Sequence, residues 1–281
     1  MKTIGFVDYY ISEWHANNYP IWIKEICEKT GKEYCVKYAW AEEYVSPVDG
    51  RNTDEWCEEF GCEKCETIEE LCEKCDYILV LAPSNPEKHL GYAKEVLKYK
   101  KNTYIDKTFA PDYDEAKEIF DIAEKYGTKF FSSSALRYAT ELDDFEGICD
   151  NVLTFGGGGN LPEYVIHQIE MIVKLIKQNP ISLKLEKQGN QYICNIKFEN
   201  EKAASMVYAP SFPFAICVQT KDTNSLYKQI ESDMFKGLIA DILRFYESGE
   251  CSFDTNQTLL VMKIRTGVIN AMDKLGEWID L

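Results

Sequence analysis

The sequence predicts an α/β protein in two parts: a doubly wound parallel sheet, then a C-terminal α+β domain with an open, mostly antiparallel sheet. Three observations carry this. Short apolar runs alternate with amphipathic helical segments up to about residue 135, the pattern of strands joined by helical crossovers. "DYILVLAP" (76–83) is continuously apolar, as a strand covered on both faces requires. Beyond about residue 180 the period drops to two, and Gly189-Asn190 stands between two such runs as a hairpin turn.

The elements follow in order. Residues 3–8 form the first strand, "YPIWIKEICEKTG" (19–31) a helix closed by Gly31, and "EYCVKYAWA" (33–41) the second strand. Asn52-Thr53-Asp54 opens a helix, and Thr67 with Glu70 three residues on opens another. After strand 76–83 come a helix (85–101), a strand (102–108), a helix (112–127) and a strand (128–135). The second half holds a helix over 165–178, strands within 181–209 and 214–222, and closing helices over 231–249 and 255–279. The expected division is a domain of residues 1–137 and one of residues 138–281.

Composition excludes several classes. Net charge is −16, from 47 acids against 31 bases, which argues against a nucleic-acid partner. No apolar run reaches the ~18–20 residues of a membrane span, and "MKTIGFVDYY" is not a signal peptide, so a cytoplasmic protein with no membrane partner is expected. Eleven cysteines are then reduced thiols. Cys57, Cys62, Cys65, Cys72 and Cys75 include two C-x-x-C pairs, a spacing known from metal sites. The pairs stand too close together for a zinc ribbon, so small buried residues are expected there and no metal is assigned.

The chemistry-bearing residues cluster at strand ends. Ala82-Pro83-Ser84-Asn85 is followed by His89, and the next strand ends in Asp106-Lys107-Thr108. A Glu-Ala-rich helix and Arg137-Tyr138 follow, then "GGGGNLPEYVIHQIE" (156–170), with Glu163 four residues before His167 and Glu170 three after it. Four residues apart on a helix, Glu163 and His167 share a face. In order and spacing this resembles the glucose–fructose oxidoreductase / inositol dehydrogenase / MocA (Gfo/Idh/MocA) family, whose corresponding motifs are Thr-Pro-Asn with a nearby His, Glu-Lys-Pro, and Asp-x-x-x-His. The resemblance implies a Rossmann-like first domain, and a second domain whose open sheet forms a homodimer or homotetramer. It implies hydride transfer between a nicotinamide cofactor, NAD or NADP, and a sugar, cyclitol or related polyhydroxy substrate. Lys107 would polarise the reacting oxygen, His167 would be the acid/base, and Glu163 would stand for the family's aspartate. Asp8, Tyr9, Tyr10, Pro83, Asn85, His89 and Asp106 would line the cofactor.

One segment departs from the family. Where Gly-x-Gly-x-x-Gly lets backbone amides meet a diphosphate, this chain has Asp8, Tyr10 and Glu13. The second strand carries Trp40 near the place of the ribose-binding acid, with Glu42 two residues on. Either the dinucleotide binds in an altered pose, with Tyr9, Tyr10 and Trp14 replacing the glycine contacts, or the protein has left dinucleotide chemistry. In the second case a cleft with Asp8, Glu13, His15, Lys107, Glu163 and His167 would hold a polyhydroxy ligand, with or without a divalent metal, for lyase, hydrolase or epimerase chemistry or for binding alone. "DYYISEWHANNYP" (8–20) is dense enough in polar and aromatic groups to be a ligand surface; otherwise it is a helix start capped by Ser12 with Trp14 in the core.

Overall fold

A computed structural model of the chain describes residues 1–145, 147, 149–220 and 224–281. Its backbone divides into two compact units, residues 1–133 with 239–253, and residues 134–238 with 254–281.

The first unit is built on a six-stranded, wholly parallel sheet. Its strands are β1 (Lys2–Asp8), β2 (Tyr34–Ala41), β3 (Glu63–Lys64), β4 (Tyr77–Val80), β5 (Thr103–Ile105) and β6 (Phe130–Phe131), in the order β3-β2-β1-β4-β5-β6. The order reverses between β1 and β4, so their carboxyl ends flank the crevice where ligands bind in such sheets. The connecting helices are α1 (Trp14–Thr30), α2 (Thr53–Phe60), α3 (Ile68–Lys74), α4 (His89–Val96) and α5 (Tyr113–Tyr126). Their starts follow the expected chemistry. Asn52 and Glu55 form a reciprocal capping box, Thr67 accepts from the Glu70 amide, and Asp112 caps α5.

Helix α1 differs from expectation. It begins at Trp14, five residues before Tyr19, because the Glu13 carboxylate accepts from the amides of His15 and Ala16. Glu13, not Ser12, is the cap, and Trp14 is 53% exposed and so is not core. Half of the dense stretch 8–20 is therefore helix.

Residues 239–253, distant in sequence, group with the first unit. Tyr246 stacks on Tyr77 with ring centroids 4.5 Å apart and donates to the Ile78 carbonyl at 2.8 Å. Asn102 donates to the Phe245 and Tyr246 carbonyls, and Phe245 meets Phe131 edge-on. Buried aromatic packing, with its polar tips satisfied, holds this segment to the first unit.

The second unit carries a seven-stranded sheet in the order β12-β11-β7-β10-β9-β8-β13. The strands are β7 (Cys149–Gly156), β8 (Pro180–Gln188), β9 (Gln191–Phe198), β10 (Ala203–Tyr208), β11 (Ala215–Thr220), β12 (Ser225–Gln229) and β13 (Trp278–Asp280). Only β7 and β10 pair in parallel among the described residues. Gly189-Asn190 forms the two-residue β8–β9 turn, with Gln188 opposite Gln191. Helices α6 (Leu161–Ile176) and α8 (Asn256–Ala271) cover one face, while α7 (Met234–Ser248) runs from this unit into the segment that joins the first.

Two strands were not legible. Residues 255–279 do not form one helix: α8 stops at Ala271, the chain turns through Gly276 at φ 83°, and β13 adds to the edge of β8. Strand β12 extends β11 on the opposite edge. The last residues of the expected strand 214–222, Lys221 and Asp222, lie outside the described residues. Among the described residues no helix is long and apolar enough to cross a membrane.

The glycine run after β7 is a packing requirement. A Cβ on Gly157 would overlap the backbone carbonyls of Ala209 and Pro210, and one on Gly158 would strike the Tyr164 ring, whereas one on Gly159 would sit 3.6 Å from its nearest neighbour. Gly157→Ala should therefore cost about 3 kcal/mol or more in urea melts, and Gly159→Ala less than about 1 kcal/mol. Equal losses would show that the run serves something other than packing.

Candidate functional site

In the first unit the β1–α1 turn is the unusual feature. Asp8, at the end of β1, is 1% exposed. Its Oδ1 accepts from the amides of Tyr9 (2.7 Å) and Ala82 (3.0 Å), while Oδ2 is buried without a hydrogen-bond partner among the described residues. Glu13 is buried as the α1 cap. Asp106, just past β5, is fully buried and accepts from the Lys107 amide (2.8 Å) and the Tyr104 hydroxyl (3.1 Å). Its Oδ2 meets Nδ1 of His15 in a close ion-pair contact, and the His15 ring lies flat on Tyr19, centroids 5.1 Å apart.

Burial sets the titration of this cluster. Asp8 is held well above the usual carboxylate range, first by loss of water and then by the charge of Glu13. Glu13 is raised for the same first reason. Burial also opposes charge on Asp106, but the His15 charge, the His15 hydrogen bond and Lys107 together pull it below its ordinary value. Tyr19 is pushed up by burial and then by the charges of Asp106 and Glu13.

Other contacts close the crevice. Glu42, after β2, accepts from Lys88 Nζ at 2.5 Å and from the Tyr92 hydroxyl at 2.7 Å, both beyond β4. Since β1 lies between β2 and β4, these bonds pass over the end of β1. The Tyr9 ring lies 4.6 Å from the Lys88 ammonium, and the amides of Glu42 and Glu43 bond the carbonyls of Asp8 and Tyr9. Arg51 ties the turn from outside, donating to Ser12 Oγ and Asn17 Oδ1. A dinucleotide laid across this crevice would meet a buried carboxyl where amides are needed, and an ion pair across its path. A dinucleotide therefore does not fit there in the pose that a Gly-x-Gly-x-x-Gly turn allows.

The remaining expected residues sort accordingly. Lys107 is half-buried, its Nζ 3.4 Å from the Pro83 carbonyl, and Pro83 and Asn85 are half-buried at the end of β4. Tyr9 and Tyr10 are half-buried, their rings 5.8 Å apart. His89, Asp8 and Asp106 have no surface to offer a ligand. His89 bridges the Leu81 carbonyl (2.5 Å) and the Phe109 carbonyl (3.0 Å), pinning the β4 loop to the segment after β5, and burial lowers its basicity. Sequence reasoning did not single out Tyr19 and Tyr104, which border this cluster.

In the second unit Asn160 caps α6, accepting from the Glu163 amide, and its side-chain amide donates to Glu163 Oε2 at 3.2 Å. One turn on, His167 is half-buried between Tyr164 and Phe214, with Nδ1 2.6 Å from Ser134 Oγ. Glu170, buried, accepts from Arg137 Nε at 2.7 Å and from the Ser134 amide at 3.1 Å. Ser134 is the residue here that the sequence did not point to.

Residues 43–134 match the family model described as "Oxidoreductase family, NAD-binding Rossmann fold" (GFO_IDH_MocA). Over these residues the chain resembles the Gfo/Idh/MocA family. The match begins after the β1–α1 turn and β2, so the segment without glycines lies outside it. Among solved structures the chain is similar to a probable dehydrogenase from Thermotoga maritima, at 10% identity and TM-score 0.79, covering 99% of this chain and 98% of that one. A scyllo-inositol dehydrogenase from Lactobacillus casei with bound NAD(H) and scyllo-inositol is similar at 13% identity and TM-score 0.76, with 100% and 99% covered. An aldose–aldose oxidoreductase from Caulobacter crescentus complexed with glycerol follows at 12% and 0.75, with 100% and 99% covered. At these identities the likeness is one of fold. No curated protein matches the sequence.

The eleven cysteines are free thiols. Burial pushes the thiols of Cys62, Cys65 and Cys72 up to about 12, and those of Cys57 and Cys75 up to about 11. Among the described residues no three His, Cys, Asp or Glu side chains are grouped to hold a metal.

The raised Asp8 gives a pH test. A carboxyl whose folded pKa exceeds its unfolded value contributes fully below the unfolded pKa, near 3.8, and loses that contribution as pH rises towards the folded value. Asp8→Asn keeps an acceptor for Tyr9 and Ala82 and carries no charge. The variant should match the wild type at about pH 4 and exceed it by about 1–3 kcal/mol at about pH 8 in urea melts. A variant weaker at both pH values would overturn this account of Asp8.

Proposed function

We propose that the chain is an oxidoreductase of the Gfo/Idh/MocA type, acting on a sugar, cyclitol or related polyhydroxy compound by hydride transfer with a nicotinamide cofactor, NAD or NADP. The family match over 43–134 carries this reading, because it runs through both strand ends, Ala82–Asn85 and Asp106–Thr108. The bound inositol and glycerol of two similar structures support a polyhydroxy substrate. In this reading the Lys107 ammonium faces a substrate oxygen and lowers the pKa of a bound hydroxyl. His167 exchanges the hydroxyl proton, and Glu163 supplies a polar group on the same face of α6. The dinucleotide must then lie clear of the closed end of β1. The open face of the second sheet, with Tyr227 and Trp278 exposed, suits a homodimer or homotetramer.

A second reading has a specific observation behind it. The Glu42–Lys88 bridge and buried Asp8 favour a non-redox member, a lyase, hydrolase or epimerase or a ligand-binding protein, using the same Lys107 and His167.

Calorimetric titration with NAD(H) and NADP(H), followed by a polyol screen at 340 nm, separates the two. The first reading expects micromolar binding and polyol-dependent nicotinamide reduction, with Lys107→Ala lowering kcat about 10²–10⁴-fold. No binding at about millimolar cofactor, together with polyol turnover at unchanged nicotinamide absorbance, would replace it with the second.

A further inference from the structure

We propose that Ser134 is a positioning residue that fixes the tautomer of His167, with Nδ1 as acceptor and the proton on Nε2. Ser134 Oγ lies 2.6 Å from His167 Nδ1. The same oxygen caps the turn Ala135–Tyr138, accepting from the Leu136 amide at 3.2 Å. The Leu136 amide fills one lone pair of this oxygen, and in the proposed arrangement its single O–H is donated to Nδ1; a neutral imidazole that accepts at Nδ1 carries its proton at Nε2.

The serine is itself held. Its amide donates to Glu170 Oε1, and Arg137 Nε donates to Oε2 of the same carboxylate. Arg137 is anchored in turn by Gln257, at 2.7 Å from Nη1. Ser134, Arg137 and Glu170 are all almost fully buried. Glu170 follows His167 by three residues on α6, so one helix carries the imidazole and anchors the segment that orients it. Tyr164 and Phe214, with centroids 5.7 and 5.6 Å away, limit rotation of the ring. At the place of the family's aspartate, Glu163 is bonded to the helix-capping Asn160. Ser134 supplies the orienting hydrogen bond, and its partners play the part that outer groups play around an imidazole ligand.

The catalytic use of His167 rests on the function proposed above; the tautomer does not. The chain has three histidines, His15, His89 and His167, so ring-¹⁵N-labelled full-length protein gives three ring systems, and His167→Gln assigns the third. Long-range ¹H–¹⁵N spectra at about pH 8, where an ordinary imidazole is neutral, should show His167 Nδ1 unprotonated and Nε2 protonated. Ser134→Ala should give a mixture of tautomers, and Ser134→Thr should restore the single one. A protonated Nδ1 in the wild type would overturn the proposal, as would an unchanged tautomer in Ser134→Ala. The wild-type spectrum decides even if a variant fails to fold. Once a substrate is in hand, Ser134→Ala should lower kcat about 10–100-fold with KM little changed. Absence of dinucleotide binding would fail the oxidoreductase reading and leave the spectra untouched.

Discussion

The contact between His15 and Asp106 lets the carboxyl end of the parallel sheet be closed. Three carboxyl groups, Asp8, Glu13 and Asp106, are buried there, and three buried anions without compensation would not be tolerated. The imidazole of His15 holds one as an ion, burial keeps Asp8 towards its protonated form, and Glu13 is tied to the start of α1. Those three roles account for the early start of α1 and for the missing glycines. The turn has been rebuilt to satisfy its own charges, where the usual fold leaves amides pointing at a ligand.

The two units treat polar groups in opposite ways. At β1 they are turned inward, onto backbone amides and, for His15 and Asp106, onto each other. Around α6 the buried pair Arg137–Glu170 supports a half-buried imidazole from behind. A rigid polar scaffold under an imidazole is the arrangement that proton transfer needs, because the ring must present one nitrogen in one orientation.

Much of this was legible in the sequence. The parallel sheet announced itself through apolar runs, and most of its helix starts through Asn52, Thr67 and Asp112, because capping is local chemistry. Glu163 and His167 share helix α6, as their four-residue spacing predicts, because that relation is also local. The cap of α1 was missed because Glu13 is not among the residues that usually cap, and it does so here as a buried carboxylate. Strands β12 and β13 were missed because short edge strands carry exposed residues with little alternation. The pairing of His15 with Asp106 spans 91 positions, and Glu42 meets Lys88 across 46. Only the fold brings such residues together, so residues that looked like ligand contacts proved to be partners for each other.

Residues 239–253 give the first unit a discontinuous chain. Tyr77, the Ile78 carbonyl and the Asn102 amide wait for Tyr246 and Phe245, which are made more than a hundred residues later. On the ribosome the parallel sheet therefore cannot finish packing while the second unit is still being synthesised, and the nascent first half keeps an aromatic face uncovered throughout that interval. The order of synthesis runs against the order of assembly: nearly the whole polypeptide must emerge before its first strand-and-helix layer is sealed.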